Sequence, residues 1–439
     1  MPNTILVTGA TGYIASRLIP RLLNAGYEVR CLARDPDRLK GRSWYPKIQV
    51  VSGDVTQPAT LPPAMQGISA AYYLIHSMSA GSGYHHIDME SAQNFSRAAR
   101  DAGVENIIYL GGLANQNDPG LSLHMKSRIS CGEALRVAGV PVTEFRAGVI
   151  VGPGSVSFEM IRFIAEQFPL IIGPRWLKHR TQPVAAHNVL EFLMAALVVP
   201  EARGKVIEIG SLETYEYIEI MSHYAKIRGL RRIPLLLPFA PVWVMALFIE
   251  LLTPVKRSYA YPLIQSLQND SLVMDRSSLS LFPDIALEDF PSSVRRALDH
   301  SHPAEIERVW LYLNEDVIKL KHEGMLIEYR RILLDSPSDA VFNNIKQFSN
   351  PDFHLRVGPM QSFKLDFMTV DTLRLKVSQQ IPGEAWFEWK VTPHAGGTLL
   401  EQTVFFAPKG LLGFVSWYLI ALFDRSILSK LFRQAAAKL

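Results

Sequence analysis

Residues 4–15 read TILVTGATGYIA, and this stretch decides the fold of the N-terminal half of the chain. A short apolar run precedes glycines at positions 9 and 12, and a helical pattern then covers residues 13–25. Gly9 permits a tight turn off a strand, and Gly12 lets the backbone approach a pyrophosphate at the N-terminus of the helix. Ala15 stands at the third glycine position. The motif predicts a dinucleotide-binding turn with contacts from Gly9, Thr11, Gly12, Tyr13 and Ile14.

Apolar runs alternate with helical patterns through the first 150 residues, which is typical of a parallel α/β sheet. Runs that are apolar throughout indicate strands buried on both faces. The predicted strands are 4–10, 28–34, 48–54, 70–76, 106–112 and 142–151, and the predicted helices are 13–25, 58–66, 86–102 and 126–138.

The second predicted strand ends in Ala33-Arg34-Asp35. An acidic residue at this strand end binds a ribose 2′-hydroxyl, whereas an arginine accommodates a 2′-phosphate. Arg34 stands first, and Arg38 follows one helical turn later. The sequence therefore favours NADP(H), while Asp35 keeps NAD(H) open.

Two further strand ends supply candidate cofactor contacts. Asp54 and Val55 close the third strand, where folds of this type place the adenine. His76 ends the fourth strand, at the edge expected to hold the nicotinamide half. A buried, hydrogen-bonding histidine is an equal alternative for His76.

The composition excludes several classes of protein. The 439 residues are 48% hydrophobic and 20% charged, which excludes a disordered chain. A net charge of +4 offers no concentrated basic face, so we expect no nucleic-acid partner. The two cysteines, Cys31 and Cys131, lack zinc-site spacing, so no metal is expected. The first residues show no signal-peptide pattern, and a cytoplasmic protein is expected.

Residues 233–252, IPLLLPFAPVWVMALFIELL, test the expectation of a soluble protein. The segment is about as long as a membrane span, but Pro234, Pro238 and Pro241 crowd its first half. The pattern favours core packing or an interfacial or ligand-lining helix over a transmembrane helix. A peripheral membrane contact, and with it membrane association, therefore stays open.

Residues 1–300 resemble the atypical short-chain dehydrogenase/reductases, within them the NmrA-like or complex-I-subunit-like NAD(P)-binding proteins. The resemblance implies a doubly wound Rossmann sheet and a smaller substrate domain built from segments after residue 150. It implies an NAD(P)-dependent oxidoreductase as well. The residues that carry it are 8–14, 34–35, 53–55, 109–113, 141–148, 158–162, 174–176 and 180–183.

The usual catalytic set of that family is a Tyr-x-x-x-Lys pair with a serine after the fifth strand. Here Lys126 fits the lysine position, but Ser122 stands where the tyrosine is expected, and Gly111-Gly112 replaces the serine. Serine hydroxyls are far weaker acids than tyrosine, so the standard machinery is predicted to be absent. Lys126 is then a ribose ligand or a surface lysine. His124, with an unperturbed pKa near neutrality, is a candidate for the missing acid.

A set of five residues, all later in the chain than the fifth predicted strand, forms a candidate substrate site. Arginines beside an indole suit an anionic or planar substrate, and a structural salt-bridge cluster is an equal alternative. The candidates are Arg146, Arg175, Trp176, Arg180 and Gln182.

The pattern changes after residue 325 to long alternating strands, with helices expected at 337–348 and 411–436. Residues 334–342, 383–386 and 396–398 and the final helix resemble the START-like, polyketide-cyclase superfamily. The resemblance implies an α+β helix-grip domain around an apolar cavity. We therefore predict domains at 1–300 and 326–439, with a linker at 301–325. A stabilising or oligomerising sheet module is the alternative to ligand binding.

These patterns support two hypotheses of different classes. One is an NADP(H)-dependent reductase of a small hydrophobic carbonyl or quinone-like molecule, working without the Tyr-Lys pair. The other is a non-catalytic NADP(H)-binding sensor or scaffold with a hydrophobic-ligand-binding C-terminal domain. The reductase is favoured by analogy, because reductases outnumber sensors in this fold. The oligomeric state stays open.

Overall fold

The computed structural model describes residues 4–76, 83–253, 255–313, 315–349 and 362–423. The chain divides into two compact units. The larger unit comprises residues 1–162, 170–299 and 307–312, and the smaller comprises 163–169, 300–306 and 313–439. Residues 301–325, which the sequence analysis assigned to a linker, contribute to both units and include a strand at Val317–His322.

Thirteen strands and eleven helices lie between residues 4 and 299 in the described chain. The strands are β1 (Thr4–Thr8), β2 (Glu28–Ala33), β3 (Gln49–Ser52), β4 (Ile68–Tyr73), β5 (Asn106–Gly112), β6 (Val142–Ala147), β7 (Ile150–Val151), β8 (Leu170–Pro174), β9 (Arg180–Thr181), β10 (Val184–Ala185), β11 (Val206–Ile209), β12 (Tyr215–Glu216) and β13 (Ile233–Leu237). The helices are α1 (Tyr13–Asn24), α2 (Pro62–Met65), α3 (Tyr84–Asp101), α4 (Leu123–Arg136), α5 (Val156–Gln167), α6 (Ala186–Ala195), α7 (Tyr217–Ile227), α8 (Val242–Leu252), α9 (Arg257–Ser266), α10 (Ser277–Leu281) and α11 (Phe290–Asp299).

The main sheet of the larger unit has seven parallel strands in the order β11-β6-β5-β4-β1-β2-β3. This is the Rossmann arrangement, and the strand order reverses between β1 and β4. In such sheets ligands bind in the crevice outside the carboxyl ends of the strands at the reversal. The predicted parallel α/β sheet is confirmed, and the carboxyl ends of β1, β2 and β4 become the candidate site.

Two apolar layers hold this sheet. One packs α1 and α6 against the sheet, with residues such as Ile5, Leu18 and Phe192 fully buried. The other lies under α3 and α4 and includes Phe95 and Tyr109. Both cysteines are buried as free thiols in these layers. Because the strands are covered on both faces, their runs are almost wholly apolar, as the sequence indicated.

The smaller unit contains a separate antiparallel sheet in the order β14-β15-β19-β18-β17-β16. Its core lies between one face of the sheet and two helices, with Phe387, Trp389 and Val404 among the buried side chains. The elements are β14 (Val317–His322), β15 (Met325–Leu334), α12 (Ser338–Lys346), β16 (Phe363–Met368), β17 (Thr372–Val377), β18 (Gly383–His394), β19 (Gly397–Pro408) and α13 (Gly410–Phe423). The expected final helix is present to Phe423, and its predicted remainder lies outside the described residues. The START-like resemblance stays a prediction.

One detail of the smaller sheet departs from strict alternation. Alternation predicts Phe363, Leu365 and Phe367 on one face. A register shift between Leu365 and Phe367 instead pairs Phe367 with Arg374, whose guanidinium carbon lies 5.2 Å from the ring centroid. A bulge inserts one residue and so turns the following side chains over.

Residues 233–252 form β13, a short loop and α8. Within the described parts of the chain, no helix combines the length and hydropathy needed to cross a bilayer.

Candidate functional site

The turn after β1 is built by a glycine that no other residue can replace. Gly9 has a φ of +70°, and an added Cβ there would overlap the carbonyl oxygen of Leu74. The Thr8 hydroxyl donates to the Tyr72 carbonyl at 3.0 Å and accepts from the Leu74 amide at 3.1 Å. These bonds join β1 to the end of β4, where the strand order reverses.

Helix α1 begins directly after this turn. The Gly12 amide donates to the Gly9 carbonyl at 2.7 Å, and no side chain caps the helix. Thr11 and Gly12 are exposed, whereas Tyr13 and Ile14 are partly buried. The first turn of a helix carries amides without intrahelical acceptors and the positive end of the helix dipole. This N-terminus therefore fits the pyrophosphate of a dinucleotide.

Tyr13 is held by residues that the sequence analysis did not single out. The Arg17 guanidinium carbon lies 4.1 Å from the Tyr13 ring centroid, and Arg17 donates to the Pro153 carbonyl at 3.1 Å. An added Cβ at Gly152 would overlap the Tyr13 hydroxyl oxygen. The turn after β7 thus closes against the first residue of α1.

At the end of β2, Arg34 and Asp35, the two residues that bear on nucleotide choice, differ in the contacts that their side chains make. Asp35 Oδ1 accepts from the Asp37 amide at 3.1 Å and caps a 3-10 turn at Pro36–Leu39. Arg34 and Arg38 are exposed. Among the residues that the structure describes, no hydrogen bond or ion pair engages the Arg34 side chain. A cation at this strand end is therefore available, while one oxygen of the neighbouring carboxylate is already bonded to the backbone.

The end of β3 forms a closed turn. The Thr60 hydroxyl accepts from the Asp54 amide at 2.9 Å, and Asp54 Oδ1 accepts from the Thr56 amide at 2.9 Å. Val55 is buried, and its carbonyl accepts from Asn94 at 3.1 Å. Asp54 and Val55 thus sit in a fixed loop at the same sheet edge as Gly9 and Arg34.

A buried polar cluster lies beyond β4. His76 Nδ1 is 2.8 Å from Asp88 Oδ2, and His76 Nε2 is 3.3 Å from His124 Nδ1. The Ser127 hydroxyl also donates to Asp88 Oδ2, at 3.1 Å. Asp88 comes from α3, and His124 and Ser127 come from α4. The cluster brings together His76 and His124, which the sequence analysis named, with Asp88 and Ser127, which it missed.

Both histidines in this cluster are neutral at pH 7. Burial is the main cause, and the Arg128 guanidinium adds to it, so the pKa of His76 lies below its ordinary value despite Asp88. Burial, His76 and Arg128 lower the pKa of His124 to about 3. The sequence analysis took His124 as an acid because its unperturbed pKa is near neutrality. That premise fails, because the buried site excludes the imidazolium.

The first turn of α4 sets the other catalytic candidates. Ser122 is its N-cap, and its hydroxyl accepts from the Met125 amide at 3.3 Å. Lys126 is exposed and lies about 200° around the helix from His124. His124 therefore does not share a face with Lys126, as the tyrosine of a Tyr-x-x-x-Lys pair would. An added Cβ at Gly112 would lie 2.6 Å from Met125 Cε, so Met125 fills the space where a serine side chain would begin.

Arg146 is buried in an ion pair. Its Nε lies 2.6 Å from Glu144 Oε1, and Glu144 is itself fully buried and 2.8 Å from Arg136. A guanidinium neutralises the buried carboxylate here, because an unpaired charge at this depth is strongly unfavourable.

The remaining substrate candidates divide into two groups. Arg180 makes two bonds to Asp270 Oδ2, at 3.2 and 3.0 Å, and the amide of buried Gln182 donates to the Ser211 carbonyl at 2.7 Å. Both side chains thus tie loops of the larger unit together. Arg175 is exposed and Trp176 is partly buried. The site residues that converge are therefore those of the cofactor edge.

The family model described as NAD(P)H-binding matches residues 9–129. These residues run from the Gly9 turn, through the ends of β2, β3 and β4, to the first turns of α4. The match therefore covers the elements that surround the candidate site.

Comparisons with individual proteins give relatives of low sequence identity. The chain is 21% identical over 313 residues to the photosystem II assembly factor Ycf39 of Trieres chinensis, covering 67% of this chain and 95% of that protein. It is 26% identical over 235 residues to a ceramide reductase of Caulobacter vibrioides, covering 52% and 71%. An NADPH complex of a quinone oxidoreductase from Escherichia coli superposes with a TM-score of 0.55 at 19% identity, covering 67% of this chain and 99% of that one. Residues 9–129 thus match a model of NAD(P)H-binding proteins, and the larger unit shares the Rossmann fold of the quinone oxidoreductase.

Proposed function

We propose that the chain is an NADP(H)-dependent reductase of a hydrophobic, quinone-like acceptor and that it works without a Tyr-Lys pair. The observation that carries the proposal is the meeting, at one sheet edge, of the Gly9 turn, the unengaged Arg34 and the neutral His76–His124 pair. The relatives named ceramide reductase and quinone oxidoreductase support a reductase with an apolar substrate.

The preference for NADP(H) follows from the end of β2. A 2′-phosphate needs a cation there, and the Arg34 guanidinium is exposed without a competing partner in the described chain. A 2′-hydroxyl would need the Asp35 carboxylate, one oxygen of which is already used by the Asp37 amide. The NADPH complex of the structurally similar quinone oxidoreductase supports the same choice.

When bound, NADPH supplies a hydride. The acceptor then becomes an anion that must be stabilised or protonated. A simple ketone gives an alkoxide, a strong base that needs a nearby acid, whereas a quinone gives a far more weakly basic phenolate. Ser122 is committed as a helix cap and His124 is neutral, so this site favours the acceptor whose reduced form needs no strong acid. Lys126, exposed on the first turn of α4, is the candidate ligand of the nicotinamide ribose.

Among the described residues of this edge, the absence of an ordinary acid also supports the alternative, a non-catalytic NADP(H) sensor or scaffold. The two functions differ in turnover. A sensor binds nucleotide and consumes none with any acceptor, and it distinguishes the oxidised from the reduced form.

Substitution of Arg34 tests the cofactor assignment. We expect Arg34→Ala to weaken NADPH binding by about 10- to 100-fold, since a charge-assisted hydrogen bond contributes about 1.5–3 kcal/mol, and to leave NADH binding unchanged. Calorimetric titration measures both. Arg97→Ala, another exposed arginine, is the matched control and should change neither. Equal losses for NADPH and NADH would contradict the assignment.

Steady-state NADPH oxidation with quinones and with aliphatic ketones tests the reaction. We expect turnover with quinones, little with ketones, and a loss of roughly tenfold or more in kcat/KM for Lys126→Ala, because a charged ribose contact is removed. Lys226→Ala, an exposed helical lysine, should retain full activity. Nucleotide binding without turnover across the whole panel would establish the sensor instead.

The neutrality of His124 predicts how stability depends on pH. The unfolded histidine has a pKa of about 6.5, whereas the folded one lies at about 3. Between these values the unfolded state binds more protons, so stability falls as the pH drops below about 6.5. We expect the titration of His124 to lower the free energy of unfolding by about 2 kcal/mol between pH 7 and pH 5. Urea unfolding at the two pH values measures this difference.

The variant His124→Gln should lose less stability over this interval than the parent protein. The control His86→Gln, at an exposed position in α3, should behave like the parent. Identical pH dependence in all three proteins would show that His124 titrates normally.

A second candidate function, hydrophobic-ligand binding by the smaller unit, is favoured by a buried polar pair. Trp389 and Gln402 lie directly opposite each other on β18 and β19 and are 0% and 1% exposed. The indole N–H of Trp389 and both amide atoms of Gln402 have no hydrogen-bond partner within the described protein. Burying such atoms unpaired is unfavourable by about 1–3 kcal/mol.

On β18 and β19 the neighbours of this pair are apolar, whereas on β15 they are charged. Leu400 and Val404 flank Gln402 on its face of β19, and all belong to the face that packs on α12 and α13. One strand further, Arg330 is paired in register with Gln402 and bonds to buried Glu328 at 2.8 Å. An apolar molecule that carries one polar group would form hydrogen bonds with the amide and the indole. Its apolar part would pack against the apolar neighbours, which a water molecule does not do.

Substitution of Gln402 tests this second function. We expect Gln402→Leu to raise the free energy of unfolding of the ligand-free protein by about 1–3 kcal/mol, because unpaired buried polar atoms are removed. It should also abolish the binding of a small apolar molecule, which is measured by solvent extraction of the full chain followed by mass spectrometry. Gln347→Leu, at an exposed glutamine, should do neither. A destabilised Gln402→Leu protein without any extracted molecule in the parent would rule out the ligand.

A further inference from the structure

Helix α8 presents its apolar side to the outside. Of its eleven residues, only Ala246 and Ile249 are buried. Five exposed side chains fall within an arc of about 140° at 100° per residue. They are Trp243, Val244, Leu247, Phe248 and Leu251, with Trp243 60% and Leu251 69% exposed. A surface helix of a soluble domain normally turns such a face inward, so this arrangement is reversed.

The exposed apolar area continues through the preceding segment. Phe239, in the loop between β13 and α8, is 79% exposed, and Ile233 on β13 is 65% exposed. In the parallel pair of β13 with β8, Ile233 lies beside Leu170 and Leu235 beside Ile172, and all four are exposed. We call residues 233–252 together with Leu170 and Ile172 the apolar surface. A surface this rich in apolar side chains indicates a binding role.

Cations bracket the apolar surface in the sequence. Arg231 and Arg232 precede it and Lys256 and Arg257 follow it, and Arg231, Lys256 and Arg257 are exposed. Glu250 is the single acidic residue between 231 and 257, and its Oε1 accepts from the Arg257 amide at 3.0 Å. Exposed cations thus flank the segment at both ends, against one acidic residue within it.

We propose that the apolar surface docks onto an anionic phospholipid bilayer. Aromatic and aliphatic side chains enter the interfacial layer, and the bracketing cations contact the lipid phosphates. The helix is about 16 Å long, which suits a position in the plane of the interface and not across it. A second copy of the chain on the same face would bring an identical set of flanking cations, and like charges repel.

The test is flotation of the purified full chain with vesicles of phosphatidylcholine alone or with 30% phosphatidylglycerol, at low and high salt. We expect binding to the anionic vesicles that falls as salt rises. The variant Trp243→Ser/Leu251→Ser should weaken it roughly tenfold or more. Val137→Ser/Val198→Ser removes two equally exposed but scattered apolar side chains and should have no effect.

A second variant separates charge from apolar contact. Lys256→Gln/Arg257→Gln should weaken binding to anionic vesicles about tenfold, whereas Lys47→Gln/Lys205→Gln, at exposed lysines elsewhere, should leave it unchanged. Absence of vesicle binding would overturn the proposal. So would a dimer in sedimentation equilibrium that Trp243→Ser/Leu251→Ser dissociates, since the surface would then join two copies. Equal binding to both kinds of vesicle at every salt concentration would overturn the role of the cations.

Discussion

The larger unit depends on the close approach of Gly9 to the carbonyl oxygen of Leu74. Strands β1 and β4 are neighbours where the strand order reverses, so the chain leaving β1 must turn over the end of β4. A side chain at position 9 would block that turn. The same turn starts α1 with an uncapped N-terminus, and it leaves His76, two residues beyond Leu74, to meet α4. One steric constraint therefore places both the uncapped N-terminus of α1 and the polar cluster.

The sequence predicted the elements of this unit because each is set by local periodicity. Apolar runs located six strands of the main sheet to within a few residues, and the Gly9 motif located the turn. Partners of polar side chains are set by tertiary contacts, which periodicity does not carry. Asp88 meets His76 across 12 residues, and Arg180 meets Asp270 across 90. Residue type suggested chemistry for His76 and Arg180, but only the fold shows which bonds they already make.

In the smaller unit, the sequence itself contains a sign of the unpaired polar pair. In TLLEQTVFFAP, Gln402 occupies the register of Leu400 and Val404, a polar residue in an apolar alternation. Where a local rule is broken without a visible gain, function or strain is the usual reason. The bulge before Phe367 carries no comparable signal, because an extra residue in a strand leaves the composition of the segment unchanged.

The reversed face of α8 breaks the same kind of rule from the other direction, with apolar groups outside instead of polar groups inside. The exposed apolar face becomes favourable only when it is covered, and the buried polar groups only when they are paired. In both cases the partner must come from outside the chain. A quinone-like or lipid-like acceptor dissolves sparingly in water and concentrates in a bilayer. An enzyme held at the bilayer surface would meet such an acceptor at far higher local concentration than one in solution. The two proposals for the larger unit remain physically independent, since the reductase depends on the end of β2 and α4, whereas docking depends on α8 and its cations.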